Sequence, residues 1–166
     1  MKKVFLMSLA LLVASAAYAQ DSQEVSWRRI AGVITSVNVD NPVGKISAGT
    51  FPWTARGGSA RVNLSTGAAS FDVDGLVIDG TMFSGTPGPI TAVTGTLVCN
   101  AGAQDESTHD TNPVPLSPTG NADFSGQIGG IPSPCGNPLF LIRIAQPAGA
   151  AGRWIATGAE RTGGYQ

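Results

Sequence analysis

The chain has 166 residues, with 10 lysines and arginines against 11 aspartates and glutamates and a formal net charge of −1. This length suits one domain with a substantial core. The slightly acidic balance excludes an electrostatic basis for binding nucleic acid or anionic lipid.

Residues 1–19 have the three parts of a secretory signal peptide. Lys2 and Lys3 give a positive start, and a largely apolar run, Val4–Val13, follows. This run is too short to span a bilayer, which needs about 20 apolar residues. Small residues at positions 17 and 19 predict cleavage before Gln20; the alternative is a buried N-terminal helix. We therefore expect a secreted or periplasmic bacterial protein with no membrane span after cleavage.

Residues 20–159 are predicted to form one all-β domain, because short apolar runs alternate with turn signals and no helical period persists. About eight strands predict an antiparallel two-sheet β-sandwich, immunoglobulin-like or jelly-roll-like, with a closed barrel as the alternative. Residues 160–166 are polar and contain glycine, which predicts a flexible C-terminal tail. The predicted strands are Ile30–Val39, Ala60–Leu64, Ala69–Ile78, Ile90–Cys99, Val114–Leu116, Ala122–Ile128, Leu139–Ile144 and Trp154–Thr157.

The two cysteines, Cys99 and Cys135, are predicted to form a disulfide. An even count in an exported chain favours pairing, and a bridge across 36 positions stabilises a fold by roughly 4 kcal/mol in the chain-entropy model. A catalytic thiol and a metal pair are the alternatives. The absence of a Cys-x-x-Cys spacing and the single histidine argue against both.

The most polar stretch, residues 104–110, is predicted to be a surface loop. Its metal-ligand candidates are Asp105, Glu106, His109 and Asp110, since carboxylates bind calcium and histidine with carboxylates can hold a transition metal. The spacing of an EF-hand is missing, and no second histidine completes a zinc site. A solvated loop is the simpler interpretation.

Two further carboxylates, Asp72 and Asp74, alternate with Phe71 and Val73 along a predicted strand. This alternation places the carboxylates on the outer face. A hydrolase that uses paired carboxylates would also need one raised pKa and a partner across a cleft, and the sequence shows neither.

Each tryptophan has an arginine close by in the sequence. Sugar-binding sandwiches present exposed aromatic faces, and an arginine over a tryptophan gives a cation–π contact. A ligand platform, with carbohydrate as its ligand, is therefore one hypothesis, and core packing of the rings is the other. The candidate residues are Trp27, Arg28, Trp53, Arg56, Arg153 and Trp154.

Several segments together resemble a group of short secreted bacterial proteins that have no assigned activity. They lie at Gly75–Gly80, before Cys99, at Pro113–Ile128, before Cys135 and at Arg153–Gly158. The resemblance implies export, a Cys99–Cys135 bridge and a β-sandwich, and it transfers no catalytic residue.

The penultimate residue, Tyr165, is similar to the penultimate aromatic of chaperone–usher pilins, whose final strand pairs with a chaperone. This second resemblance implies a fibre or assembly subunit completed by a donated strand.

The sequence as a whole favours an exported, non-enzymatic protein with a surface-binding or envelope-associated structural role and no cofactor. Its expected partner is a carbohydrate or an envelope protein. A small extracellular hydrolase or metal-binding protein using the segment around His109, and an assembly subunit, are the alternatives.

Overall fold

The computed structural model describes residues 23–36 and 39–163, and this part of the chain is almost entirely β-structure. A short 3-10 turn, Ala148–Ala150, separates the last two strands. The strands are β1 Glu24–Gly32, β2 Trp53–Thr54, β3 Gly57–Asn63, β4 Ala68–Asp74, β5 Val77–Ile78, β6 Ala92–Cys99, β7 Ser107–Asp110, β8 Val114–Pro115, β9 Ala122–Gln127, β10 Leu139–Gln146 and β11 Trp154–Thr162.

One continuous antiparallel sheet carries most of the fold. Its order is β7-β6-β10-β11-β1-β3-β4-β9, with β8 also paired to β6, while β2 and β5 form a separate two-stranded sheet. The large sheet curls into a half-barrel around the core. The all-β prediction is confirmed, whereas a two-sheet sandwich is not, because the main strands belong to a single hydrogen-bonded ladder.

The predicted alternation of buried and exposed residues is clearest in β4. Phe71 and Val73 are buried, and Asp72 and Asp74 between and after them are exposed. Successive side chains of a strand point to opposite faces, so the apolar set of β4 faces the core and the carboxylates face outward.

At the centre of the core, three aromatic rings lie in a row and pack against two glycines. Trp27 lies 5.5 Å from Phe140, and Phe140 lies 5.8 Å from Phe71, measured between ring centroids. A Cβ added at Gly158 would meet the Trp27 ring at 2.5 Å, and one added at Gly95 would meet Phe140 at 2.7 Å and Phe71 at 2.8 Å. The missing side chains therefore allow the strands to approach the rings closely.

A long connection between β1 and β2 covers one end of the sheet. Ala48 pairs in parallel with Trp154, where Trp154 N–H donates to the carbonyl of Ser47 at 3.0 Å and Gly49 N–H donates to that of Trp154 at 2.8 Å. The indole Nε1 of Trp154 also donates to the Asn41 carbonyl at 2.9 Å. These bonds bury the ring of Trp154 beneath the connection.

Two predicted boundaries at the ends of the domain are wrong. The strand predicted at Ile30–Val39 is instead β1, Glu24–Gly32, and the chain leaves the sheet soon after Gly32. The predicted tail, 160–166, belongs in part to β11, which continues to Thr162. This segment is polar, but its backbone hydrogen-bonds to β1, and such pairing does not require apolar side chains. Residues 164–166 and the predicted signal peptide, 1–19, lie outside the described residues.

The disulfide prediction is confirmed. Cys99 and Cys135 are bonded, which ties the end of β6 to the loop before β10, and both residues are buried. The bridge is reinforced by the Asn100 N–H, which donates to the Gly136 carbonyl at 2.7 Å.

Replacing both cysteines by alanine is expected to lower the free energy of unfolding by about 2–4 kcal/mol, because the unfolded chain regains the freedom that the closed loop removes. Urea denaturation monitored by circular dichroism measures the change. Chemical reduction of the natural protein should give a matching loss. Equal midpoints for the oxidised and reduced proteins would contradict this role.

Gly95→Ala is expected to destabilise the protein by about 1–3 kcal/mol, because the added methyl group overlaps two buried aromatic rings. The matched control is Gly57→Ala in β3, where a Cβ would meet no atom within 4 Å. Thermal unfolding of the two variants measures the difference. A Gly95→Ala protein as stable as the Gly57→Ala protein would show that the aromatic row is loosely packed.

Candidate functional site

The three tryptophans belong to the core, so the predicted ligand platform is wrong. Trp27, Trp53 and Trp154 are only 1%, 4% and 5% exposed. A ring covered to this extent has no free face on which a sugar could stack. For Trp27 the physical reason is strand geometry, since a tryptophan that points inward places the adjacent Arg28 on the opposite face of β1.

The three arginines of the proposed ligand platform lie in different surroundings. Arg28 is exposed on β1. Arg56 forms an ion pair with Asp74 at 2.8 Å. Arg153 donates to the Ala48 carbonyl at 2.9 Å. These side chains do not converge on one binding surface with the tryptophans.

The polar segment 104–110 is a strand in its second half, which corrects its prediction as a loop. Ser107–Asp110 forms β7 and pairs with β6. His109 donates through Nδ1 to the Gly129 carbonyl at 3.1 Å, and its Nε2 shares a hydrogen bond of 3.0 Å with the Ser107 hydroxyl. Both ring nitrogens are therefore engaged by neighbouring groups.

The carboxylates of this segment are also held in separate contacts. Asp105 accepts a hydrogen bond from Asn100 at 2.8 Å. Asp110 accepts one from Thr96 at 2.6 Å and pairs with Arg143 at 3.2 Å. Over residues 23–36 and 39–163, no group of three or more histidine, cysteine or carboxylate side chains is placed to bind a metal ion.

Glu106 is an anchor between two loops. The backbone N–H groups of Gly102 and Lys45 donate to its carboxylate at 2.6 and 2.9 Å. These two hydrogen bonds, that of Gly102 first, hold the pKa of Glu106 below its ordinary value of 4.5, and the charge of Lys45 adds to the effect. The ionised carboxylate thus joins the loop after β6 to the connection between β1 and β2.

The other carboxylates singled out by the sequence, Asp72 and Asp74, lie exposed on the outer face of β4. Asp72 accepts a hydrogen bond from the Ser59 hydroxyl at 2.6 Å, and Asp74 pairs with Arg56. Asp123 of β9 lies directly opposite Asp72. The two carboxylates of β4 therefore serve different neighbours and do not act on one point.

A groove of about 500 Å³ lies between the end of β1 and the short strand β2. Arg29 and Glu160 on its wall are paired at 3.8 Å. Asp79, also on the wall, pairs with no cation in the part of the chain that the structure describes. Backbone and apolar groups of Ile34 and Pro52 complete this part of the lining.

Large apolar side chains are exposed on one loop that lines this groove and on a second loop that follows β5. The large hydrophobic residues exposed among the described residues are Ile34 at 91%, Val39 at 57%, Met82 at 91% and Phe83 at 36%. They belong to two loops, one after β1 and one after β5. The Phe83 ring also contacts Phe51, with centroids 6.4 Å apart.

Both loops are attached to the same short segment. Trp53 N–H donates to the Val33 carbonyl at 2.8 Å, and Asp79 N–H donates to the Pro52 carbonyl at 2.9 Å. We call the resulting surface the apolar end. It consists of Ile34, Val39, Phe51, Pro52, Met82 and Phe83.

Sequence reasoning missed the apolar end. The available signal was the pair Met82-Phe83, which lies between Gly80 and Gly85 in a stretch with no strand pattern. Ile34 gave no such signal, because it fell within a predicted strand.

Comparisons with protein-family models, with curated proteins and with solved structures find no match. No relative therefore supplies a site residue or an activity for this chain. Within the described residues, no helix is long and apolar enough to cross a membrane.

Glu106→Gln is expected to lower stability at neutral pH, because the amide offers only one oxygen to two N–H donors. The contribution of the carboxylate is fully present above pH 4.5 and is lost as the pH falls through the lowered pKa of the folded state. Unfolding midpoints of variant and natural protein should therefore converge in acid. Glu24→Gln, at an exposed position of β1, is the control and should leave the midpoint unchanged. A gap between Glu106→Gln and the natural protein that persists at pH 2 would contradict the assignment.

Proposed function

We propose that this protein is exported, has no enzymatic activity, and binds a protein of the cell envelope through the apolar end. Two features support export. Residues 1–19 have the pattern of a signal peptide, and the Cys99–Cys135 bridge suits an oxidising compartment.

The observation that carries the binding proposal is the clustering of exposed apolar side chains. Ile34 and Met82 are almost fully solvated, although each would contribute roughly 1.5–3 kcal/mol if it were buried. Isolated exposed apolar residues are common on proteins, whereas several exposed apolar residues on loops fixed to one segment indicate an interaction surface. Here the two loops that carry the set are joined to one segment by backbone hydrogen bonds.

The chemistry of the apolar end favours a polypeptide over a carbohydrate. Its most exposed side chains, Ile34 and Met82, are apolar and not aromatic, and methionine is flexible enough to adapt to varied apolar partners. The tryptophans that would stack on a sugar are buried. The tryptophan platform on which the carbohydrate hypothesis rested is therefore not exposed.

The charges of the groove indicate the polarity of the partner. Arg29 and Glu160 neutralise one another, which leaves the charge of Asp79 uncompensated. A partner segment that joins apolar side chains to a lysine or arginine would meet both features.

The absence of enzymatic activity is supported by the contacts of the sequence candidates. His109, Asp110 and Asp105 each hold a neighbouring strand or loop, and Glu106 holds two backbone N–H groups. These contacts support a structural role for the candidates of this segment.

The pilin-type interpretation receives no support from the C-terminal strand. β11 pairs with β10 on one side and with β1 on the other, so its backbone is occupied within the domain. Tyr165, on which that resemblance rested, lies outside the described residues.

Peptides selected for binding from a displayed random library should contain apolar residues next to lysine or arginine. Ile34→Ser and Met82→Ser should each raise the Kd of a selected peptide about tenfold or more, because each removes a large apolar contact. Ala68→Ser, at an exposed position of β4, is the control and should leave the Kd unchanged. Fluorescence anisotropy with a labelled peptide measures all three.

Two results would overturn the proposed function. One is retention on immobilised polysaccharides together with peptide binding that ignores Ile34 and Met82. The other is turnover on a panel of hydrolase substrates that disappears in His109→Ala or Asp74→Ala.

A further inference from the structure

The strand β9 has one free side. Among the described strands it pairs only with β4, and the register of that ladder runs without interruption from Ala122 to Gln127. β8 lies nearby, but its pairing is with β6. No described strand pairs with its other side, and the residues from Asp123 to Gln127 are exposed or half-buried.

The direction of these groups follows from one hydrogen bond beyond the end of the strand. Ile128 N–H donates to the Gly67 carbonyl at 2.9 Å, in register with the β4–β9 ladder. Backbone groups alternate in direction along an antiparallel strand, so every second residue from Ile128 faces β4. Asp123, Ser125 and Gln127 consequently direct their N–H and C=O groups toward the free side.

β9 lacks the devices by which edge strands are usually protected. It contains no proline, lysine or bulge, and Asp123 is its only charged residue. The opposite edge, β7, has only four residues, and its outward-facing Asp110 is held by Arg143. Of the two edges, β9 is the one suited to accept another strand.

We propose that β9 pairs with β9 of a second copy of this chain, antiparallel, with Ser125 on the two-fold axis. In this register Asp123 of one copy lies opposite Gln127 of the other, and Ser125 lies opposite Ser125. Asp123, Ser125 and Gln127, whose backbone groups face the free side, then each exchange two backbone hydrogen bonds with the residue opposite in the other copy. A carboxylate opposite an amide is compatible, whereas a register that paired Asp123 with Asp123 would repel.

The inner face of β9 fits the same arrangement. Phe124, half-buried, stacks on Phe71 at 5.9 Å and lies against its own Gly126. In the proposed register Phe124 of one copy lies opposite Gly126 of the other. Since each ring already lies over its own Gly126, the two Phe124 rings come side by side across the paired strands and cover one another.

Sedimentation velocity of the full, disulfide-bonded chain over a range of concentrations tests the dimer. Ser125→Lys should shift the protein to monomer, because it places two positive charges against each other on the axis. Thr108→Lys, an exposed position on the edge β7, is the matched control and should leave the dimer intact. Thermal unfolding of both variants checks that each is folded.

A second set of variants tests the register. Gln127→Lys should tighten the dimer and Gln127→Glu should loosen it, each by about 2- to 30-fold in Kd, because two symmetric cross-strand pairs change together. The double variant Asp123→Lys, Gln127→Glu should bind more tightly than Gln127→Glu alone, since it restores opposite charges.

A protein that is monomeric at every concentration, or a dimer that responds to Thr108→Lys and not to Ser125→Lys, would overturn the proposal. So would a dimer lost in Ile34→Ser or Met82→Ser, since it would then form through the apolar end. Those two variants therefore separate a failure of this inference from a failure of the proposed function.

Discussion

The contact of three aromatic rings with two strand glycines is the constraint on which the curl of the sheet depends. Phe71 on β4 packs against Gly95 on β6, although four strands, β10, β11, β1 and β3, lie between them in the sheet. The rings of Phe140 and Trp27 fill the interior between these strands. A flat sheet could not bring β4 and β6 together, so this packing and the curvature require one another.

Local features of the fold could be predicted from the sequence, and long-range ones could not. Alternation identified the inward face of β4, and cysteine count identified the disulfide. The pairing of β1 with the segment up to Thr162 joins the two ends of the described chain, and no local pattern encodes it. The tryptophan–arginine hypothesis failed for a local reason: neighbours such as Trp27 and Arg28 point to opposite faces of a strand.

The candidate site shows the same division. The polar residues at 104–110 predicted metal binding or catalysis because of their chemistry. In the structure, Glu106 and Asp110 hold loops and strands in place. The apolar end depends on bonds from Trp53 and Asp79 that bring two distant loops onto one segment. Its residues are ordinary apolar types, and only their exposure in the folded chain distinguishes them.

The position of β1 in the sheet has a consequence for how the molecule is assembled. β1, the first strand along the described chain, pairs on one side with β3 and on the other with β11, the last. A folding chain leaves one side of β1 vacant until residues 154–162 reach it. Such distant pairing slows folding, because the chain loses conformational entropy when its ends meet, before the stabilising contacts between β1 and β11 have formed. Completion of this sheet is thus a late event that awaits the arrival of β11 beside β1.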